Sequence, residues 1–132
     1  MAKKEFPEQE IQINFMAYIA QSGVDGLFVF HVPNGQNVGP FVGTKLQRMG
    51  LVAGMPDLML IHKGHIFGLE IKNDKPRGKL STAQHLTMAA LREAGVECAV
   101  AYGIQDCIDQ LDAWRLTKRW AKTIPFPAGA KA

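Results

Sequence analysis

Asp57, Glu70 and Lys72 are the residues whose types and spacing could do chemistry together. Two hard oxygen donors and one ammonium are what divalent-cation-assisted attack on a phosphate requires. They meet only if the chain between them folds back on itself. Pro56 sets up an apolar strand from Asp57 to Ile61, His62-Lys63-Gly64-His65 reads as a turn, and Ile66 to Lys72 reads as a second strand. With Lys63 and Gly64 at the tip, His62 faces His65, Met59 faces Gly68, and Asp57 faces Glu70. Facing residues have Cβ atoms about 4.5–5.5 Å apart, and like charges there repel unless something positive lies between them. A divalent cation is the natural occupant.

Strand alternation puts Gly68, Glu70 and Lys72 on one face and the apolar Phe67, Leu69 and Ile71 on the other, which is the core face. Gly68 leaves room on the first face for a ligand or another backbone. The competing reading is a solvated cluster of surface charges worth little to stability. The register is also sensitive: a turn one residue longer or shorter would move Asp57 off Glu70.

The remaining elements must position this patch. Ile11, Phe15, Tyr18 and Ile19 form a helical stripe in Glu8 to Gln21, with Gly23 as a stop. Leu27 to Val32 reads as a buried strand entering a turn at Pro33-Asn34-Gly35. A glycine-rich stretch leads to a short helix, Thr44 to Met49, presenting Lys45 and Arg48. Asn73 to Lys79 is a polar loop, and Ser81 caps a helix from Thr82 to about Ala94, stopped by Gly95. Val96 to Tyr102 is a further buried strand, and one helix spans Gln105 to Trp120.

The chain has 132 residues, 47% of them apolar, enough for one α/β domain over residues 1–120 with a loose tail at 121–132. Fifteen Lys and Arg against twelve Asp and Glu give a charge of +3, which permits a polyanionic partner without demanding one. Cys98 and Cys107 match no Cys-x-x-Cys spacing and read as reduced thiols of a cytosolic protein. No apolar run approaches a membrane span or a signal peptide.

The order of the segments narrows the reading. Gly54-Met55-Pro56-Asp57-Leu58, then Glu70-Ile71-Lys72, then Leu80-Ser81-Thr82-Ala83-Gln84, resemble the PD-(D/E)xK nuclease superfamily. More narrowly they resemble the virus-type replication-repair nuclease (VRR-NUC) domain, whose pattern also matches Glu8-Gln9-Glu10-Ile11-Gln12 and His31 to Gly35. The resemblance spans roughly Glu8 to Tyr102. It implies a restriction-endonuclease-like α/β core, a mixed central sheet flanked by helices in the order αβ(α)ββαβα. It also implies Asp57 and Glu70 as metal ligands, the Ile71 carbonyl as a third, Lys72 orienting or activating the attacking water, and Gln84 lining the pocket.

Two acids compete for the helix-one position that the family pattern includes. Glu8 lies three and seven residues before Ile11 and Phe15 and shares their face, whereas Glu10 does not, so Glu8 is preferred as a catalytic residue and further metal ligand. The expected reaction is in-line hydrolysis assisted by Mg²⁺ or Mn²⁺, with one metal or two left open.

Asn34, Lys45, Arg48, Lys75, Arg77 and Lys79 are candidate nucleic-acid-binding residues, the basic ones as phosphate-backbone contacts; each basic residue could equally be solvated, and Asn34 could shape a turn near the site or only end the strand. His31, His62, His65 and His85 read as structural or surface residues, and Trp114 and Trp120 as core or interface. The family analogy favours branched, junction or flap DNA as substrate, in the cytoplasm of a bacterial or phage-infected cell. A homodimer would set two sites on such a substrate. A non-catalytic nucleic-acid-binding module, and a nuclease acting on DNA ends or RNA, are the alternatives.

Overall fold

A computed structural model describes residues 7–33 and 40–123. The elements run α1 (Pro7–Ser22), β1 (Phe28–His31), α2 (Pro40–Arg48), β2 (Leu58–His62), β3 (His65–Lys72), α3 (Thr82–Glu93), β4 (Glu97–Tyr102), α4 (Ile104–Ala113) and α5 (Lys118–Thr123). This is the expected order with one further helix. Four strands form a mixed sheet in the order β1-β2-β3-β4, antiparallel except for the parallel β3–β4 pair that the α3 crossover makes possible.

The β2–β3 hairpin turns on Lys63 and Gly64, whose φ values of 49° and 82° are the double positive that a two-residue turn of primed type requires. His62 pairs with His65, Met59 with Gly68 and Leu58 with Leu69. That is the register expected from the sequence. Leu58, Leu60, Phe67, Leu69 and Ile71 all lie in one core with Phe15, Leu111 and Leu116, on the face covered by α1 and α4. Burying each such side chain contributes about 1.5–3 kcal/mol.

The opposite face carries Gly68 and Glu70 and is closed, not the solvated face of the competing reading. Pro56 and α3 close over it: a Cβ at Gly68 would lie 3.0 Å from the Pro56 ring, 3.4 Å from Cys98 Sγ and 3.5 Å from Met59 Sδ. The space at Gly68 belongs to protein side chains rather than to a ligand. Thr87 of α3 donates its hydroxyl proton to the Ala53 carbonyl and ties the helix to the segment before β2.

Two further expectations change. Leu27 to Val32 is not a buried strand, because β1 stands at the sheet edge with Phe28 63% and Phe30 40% exposed. The last helix is broken in two. Arg115 takes φ 60°, and the chain turns so that buried Thr117 bridges Gly23 and gives its hydroxyl proton to Asp112. This tertiary pairing overrides the helical periodicity that runs through it. No described helix is long and apolar enough to cross a membrane.

Candidate active site

Asp57 sits one residue before β2, beyond Pro56, where the register continues to place it opposite Glu70. The Ile71 N–H donates to Asp57 Oδ2 at 2.8 Å. Within a strand a residue's N–H and C=O point to the same side, so Ile71 also directs its carbonyl toward Asp57. By the same alternation Lys72 points its backbone to the other neighbour, where its carbonyl accepts from Gly103 N–H at 3.0 Å. Residues 57 and 70 are therefore a non-hydrogen-bonded pair, the kind in which side chains come closest.

Glu70 is only 2% exposed. Its partner is Gln84, whose Nε2 donates to Glu70 Oε2 at 2.7 Å. Gln84 is fixed from both ends: its Oε1 accepts from Ser81 N–H at 2.8 Å and its own N–H donates to Ser81 Oγ at 3.1 Å, a complete capping box at the start of α3. Gly54 makes this approach of chain and helix feasible. With φ +78°, a Cβ there would fall 2.4 Å from the Ala83 carbonyl carbon and oxygen.

Burial pushes the Glu70 carboxyl from its ordinary 4.5 up to about 9. A hydrogen bond to Asp57 and the Asp57 charge push the same way, Lys72 opposes them, and Glu8 adds to the rise. Asp57, Lys72 and Glu8 thus all lie close enough to Glu70 to act on its charge. Glu8 is half-buried and Glu10 exposed on α1, and Glu8 Oε2 accepts from Asn73 N–H at 3.1 Å. Among the described residues no three His, Cys, Asp or Glu side chains form a group able to hold a metal ion. Glu8 stands beside the pair and spends one oxygen on the backbone rather than completing a three-carboxylate cage.

Lys72 is half-buried, with Gly78 against its stem: a Cβ at Gly78 would lie 3.1 Å from Lys72 Cβ and Cδ and 3.1 Å from Glu8 Oε2. The 73–80 loop folds back through Gly78 N–H to the Asn73 carbonyl at 2.9 Å. Its Arg77 lies over the Tyr102 ring, 3.6 Å from the centroid, and Tyr102 is the register partner of Lys72 on β4. Lys75 and Lys79 are exposed on the same loop, and Lys45 and Arg48 are exposed at the end of α2. Asn34 lies outside the described residues.

Tyr102 and Gly78 carry no motif, and only the β3–β4 pairing and the loop's path reveal them. His31 also gains contacts, described below. Trp114 packs on Phe67 at 4.8 Å between ring centroids, as a core residue does, and Cys107 is buried with its thiol pushed up to about 12, chiefly by that burial.

No family model matches the chain, and neither does any curated protein. Solved structures do. One described as "VRR_NUC domain protein" is 25% identical, with a TM-score of 0.67 over 85% of this chain and 90% of that one. A second, described as "VRR_NUC domain", is 19% identical with a TM-score of 0.56, over 83% of this chain and 97% of that one, and shows the shared fold.

Proposed function

This chain carries a VRR-NUC domain with a PD-(D/E)xK-type fold, a nuclease-type domain, and from that premise we propose that it is a metal-dependent DNA endonuclease selective for branched, junction or flap DNA. One observation carries the reading: the sheet register sets Glu70, 2% exposed, opposite Asp57 with no Arg or Lys seated between the two acids among the described hydrogen bonds and ion pairs. Two apposed carboxylates are costly in an apolar setting. Without a cation Glu70 keeps its proton and hydrogen-bonds Asp57, and a bound divalent cation would take that proton's place.

The donor set suits Mg²⁺ or Mn²⁺. Asp57, Glu70 and the Ile71 carbonyl are hard oxygen ligands, and the small number of protein ligands leaves positions for waters and a phosphate oxygen, the coordination Mg²⁺ prefers. When bound, the ion supplies polarisation of the phosphate and a lowered pKa for the attacking water. Ile71 N–H holds Asp57 Oδ2, leaving Oδ1 as the donor atom on that carboxylate. Gln84 fixes the Glu70 carboxylate. The Lys72 ammonium, steadied by Gly78, orients the water and offsets charge developing on the phosphate. Arg77 on Tyr102, with Lys75 and Lys79, supports the incoming backbone without reading sequence. A domain this small has little surface for base readout, which favours recognition of DNA shape.

The test is cleavage of linear, flapped and four-way-junction DNA in Mg²⁺, Mn²⁺ or EDTA, beside Asp57→Ala and Lys72→Ala. The expected outcome is cleavage of branched substrates that both substitutions and EDTA abolish. Cleavage in EDTA, or full activity in both variants, would overturn the mechanism, and equal cleavage of linear DNA would overturn the selectivity.

A further inference from the structure

Asp57 is held from a second direction that the proposed chemistry has not used. Its carboxylate is tied to β3 through Ile71, but its main chain lies one residue beyond the paired β2 residues, opposite Glu70 in a non-hydrogen-bonded position, so no backbone hydrogen bond to β3 holds it. On the other side its carbonyl oxygen accepts from Val32 N–H at 3.0 Å. The same oxygen lies 2.9 Å from His31 Nδ1, and Gln12 Nε2 of α1 lies 2.9 Å from that same ring nitrogen.

One ring nitrogen cannot give a proton to the carbonyl and take one from an amide N–H at once. If Nδ1 carried a lone pair toward Gln12, it would also present that lone pair to the Asp57 oxygen at 2.9 Å, acceptor against acceptor. With the proton on Nδ1, the carbonyl is satisfied by two donors, one for each lone pair. A half-turn of the Gln12 amide then brings Oε1 to the same proton.

We propose that His31 and Gln12 are positioning residues for the active site: His31 donates its Nδ1 proton to the Asp57 carbonyl, Gln12 holds the ring, and together they set the Asp57 carboxylate for cation binding. The inference rests on the metal-dependent reading of the site. It links α1, through the His31 ring of β1, to the carbonyl of the first ligand. Groups outside a metal's own ligands commonly change affinity by about 10–100-fold when lost.

Two measurements test it. In long-range ¹H–¹⁵N NMR spectra of the metal-free wild-type protein, His31 should appear as the Nδ1–H tautomer, whereas a free imidazole prefers Nε2–H. In Mn²⁺ binding followed by electron paramagnetic resonance without DNA, His31→Asn, whose amide nitrogen takes the place of Nδ1, should bind within about threefold of wild type. His31→Gln, whose amide reaches the place of Nε2 instead, should bind at least about tenfold more weakly, with both variants melting at similar temperatures. An Nε2–H tautomer in the wild type would overturn the proposal, as would Mn²⁺ binding by His31→Gln equal to wild type. Wild-type protein that binds no Mn²⁺ would overturn the metal reading itself and the positioning role with it, an outcome distinct from wild-type binding that His31 leaves unmoved.

Discussion

Gln84 binds Glu70 at 2.7 Å through the same amide whose oxygen closes the capping box of α3. One side chain thus joins a helix start to a buried acid. Replacing it should damage two things that Ser81 allows to be separated. Ser81→Ala removes the cap alone and should lower stability by about 1 kcal/mol in urea unfolding while leaving most cleavage activity. Gln84→Ala should lower stability at least as much and also reduce kcat by about tenfold or more, because Glu70 loses its donor. Equal activity losses in the two variants would show that helix stability, not the Glu70 bond, governs the site.

Glu70 predicts an unusual pH profile for the metal-free protein. Its carboxyl is raised from 4.5 to about 9, mainly by burial and then by Asp57. A raised carboxyl binds its proton more tightly in the folded state. The stability it contributes is fully present below pH 4.5 and is lost as pH rises toward about 9. Unfolding free energy should therefore fall across that interval, with a slope from this group of at most about 1.4 kcal/mol per pH unit. Glu70→Gln should flatten the fall and melt above wild type at pH 8, yet cleave no DNA. Excess Mg²⁺ should stabilise wild type at pH 8 more than Glu70→Gln. Melting curves with and without Mg²⁺ decide this.

Glu8 and Glu10 occupy the first turn of one helix but meet different surroundings. Glu8 Oε2 takes the Asn73 N–H at 3.1 Å and its charge reaches Glu70, whereas Glu10 is exposed. Glu8→Ala should lower kcat by about tenfold with a stability loss near 1 kcal/mol. Glu10→Ala should stay within about 0.5 kcal/mol of wild type and keep its activity. Steady-state cleavage of a junction substrate distinguishes them, and a Glu10 effect larger than that of Glu8 would reverse the assignment.

Much of this site is legible in the linear chain because its parts obey local rules. Lys63-Gly64 dictates the turn, the turn dictates the register, and the register sets Asp57 opposite Glu70. Ser81 with Gln84 spells a capping box. What the sequence conceals depends on contacts between distant segments. From the linear chain the face bearing Gly68 also reads as a solvated charge cluster, yet Pro56 and α3 cover it, so Glu70 is a buried acid rather than a surface one. Helical periodicity runs through Trp114 and Arg115, but the bridge from Thr117 to Gly23 breaks the helix there. Leu27 to Val32 is apolar because Val29 packs inward, while Phe28 and Phe30 remain exposed at an edge. Tyr102 becomes visible only once β4 lies parallel to β3.

Arg77, stacked 3.6 Å above the Tyr102 ring beside Lys72, is the basic loop residue with the most restricted placement. A guanidinium held flat against an aromatic face loses less freedom when it meets a phosphate than a solvated lysine does. Arg77→Ala should therefore raise the Kd for junction DNA more than Lys75→Ala or Lys79→Ala, and should lower the slope of log Kd against log salt by roughly one contact. Tyr102→Leu leaves the charge but removes the platform, so it should weaken binding without changing that slope. Fluorescence anisotropy at several salt concentrations, in Ca²⁺ to suppress cleavage, measures both quantities. An Arg77→Ala slope equal to wild type would mean that the guanidinium stays on Tyr102 when DNA binds.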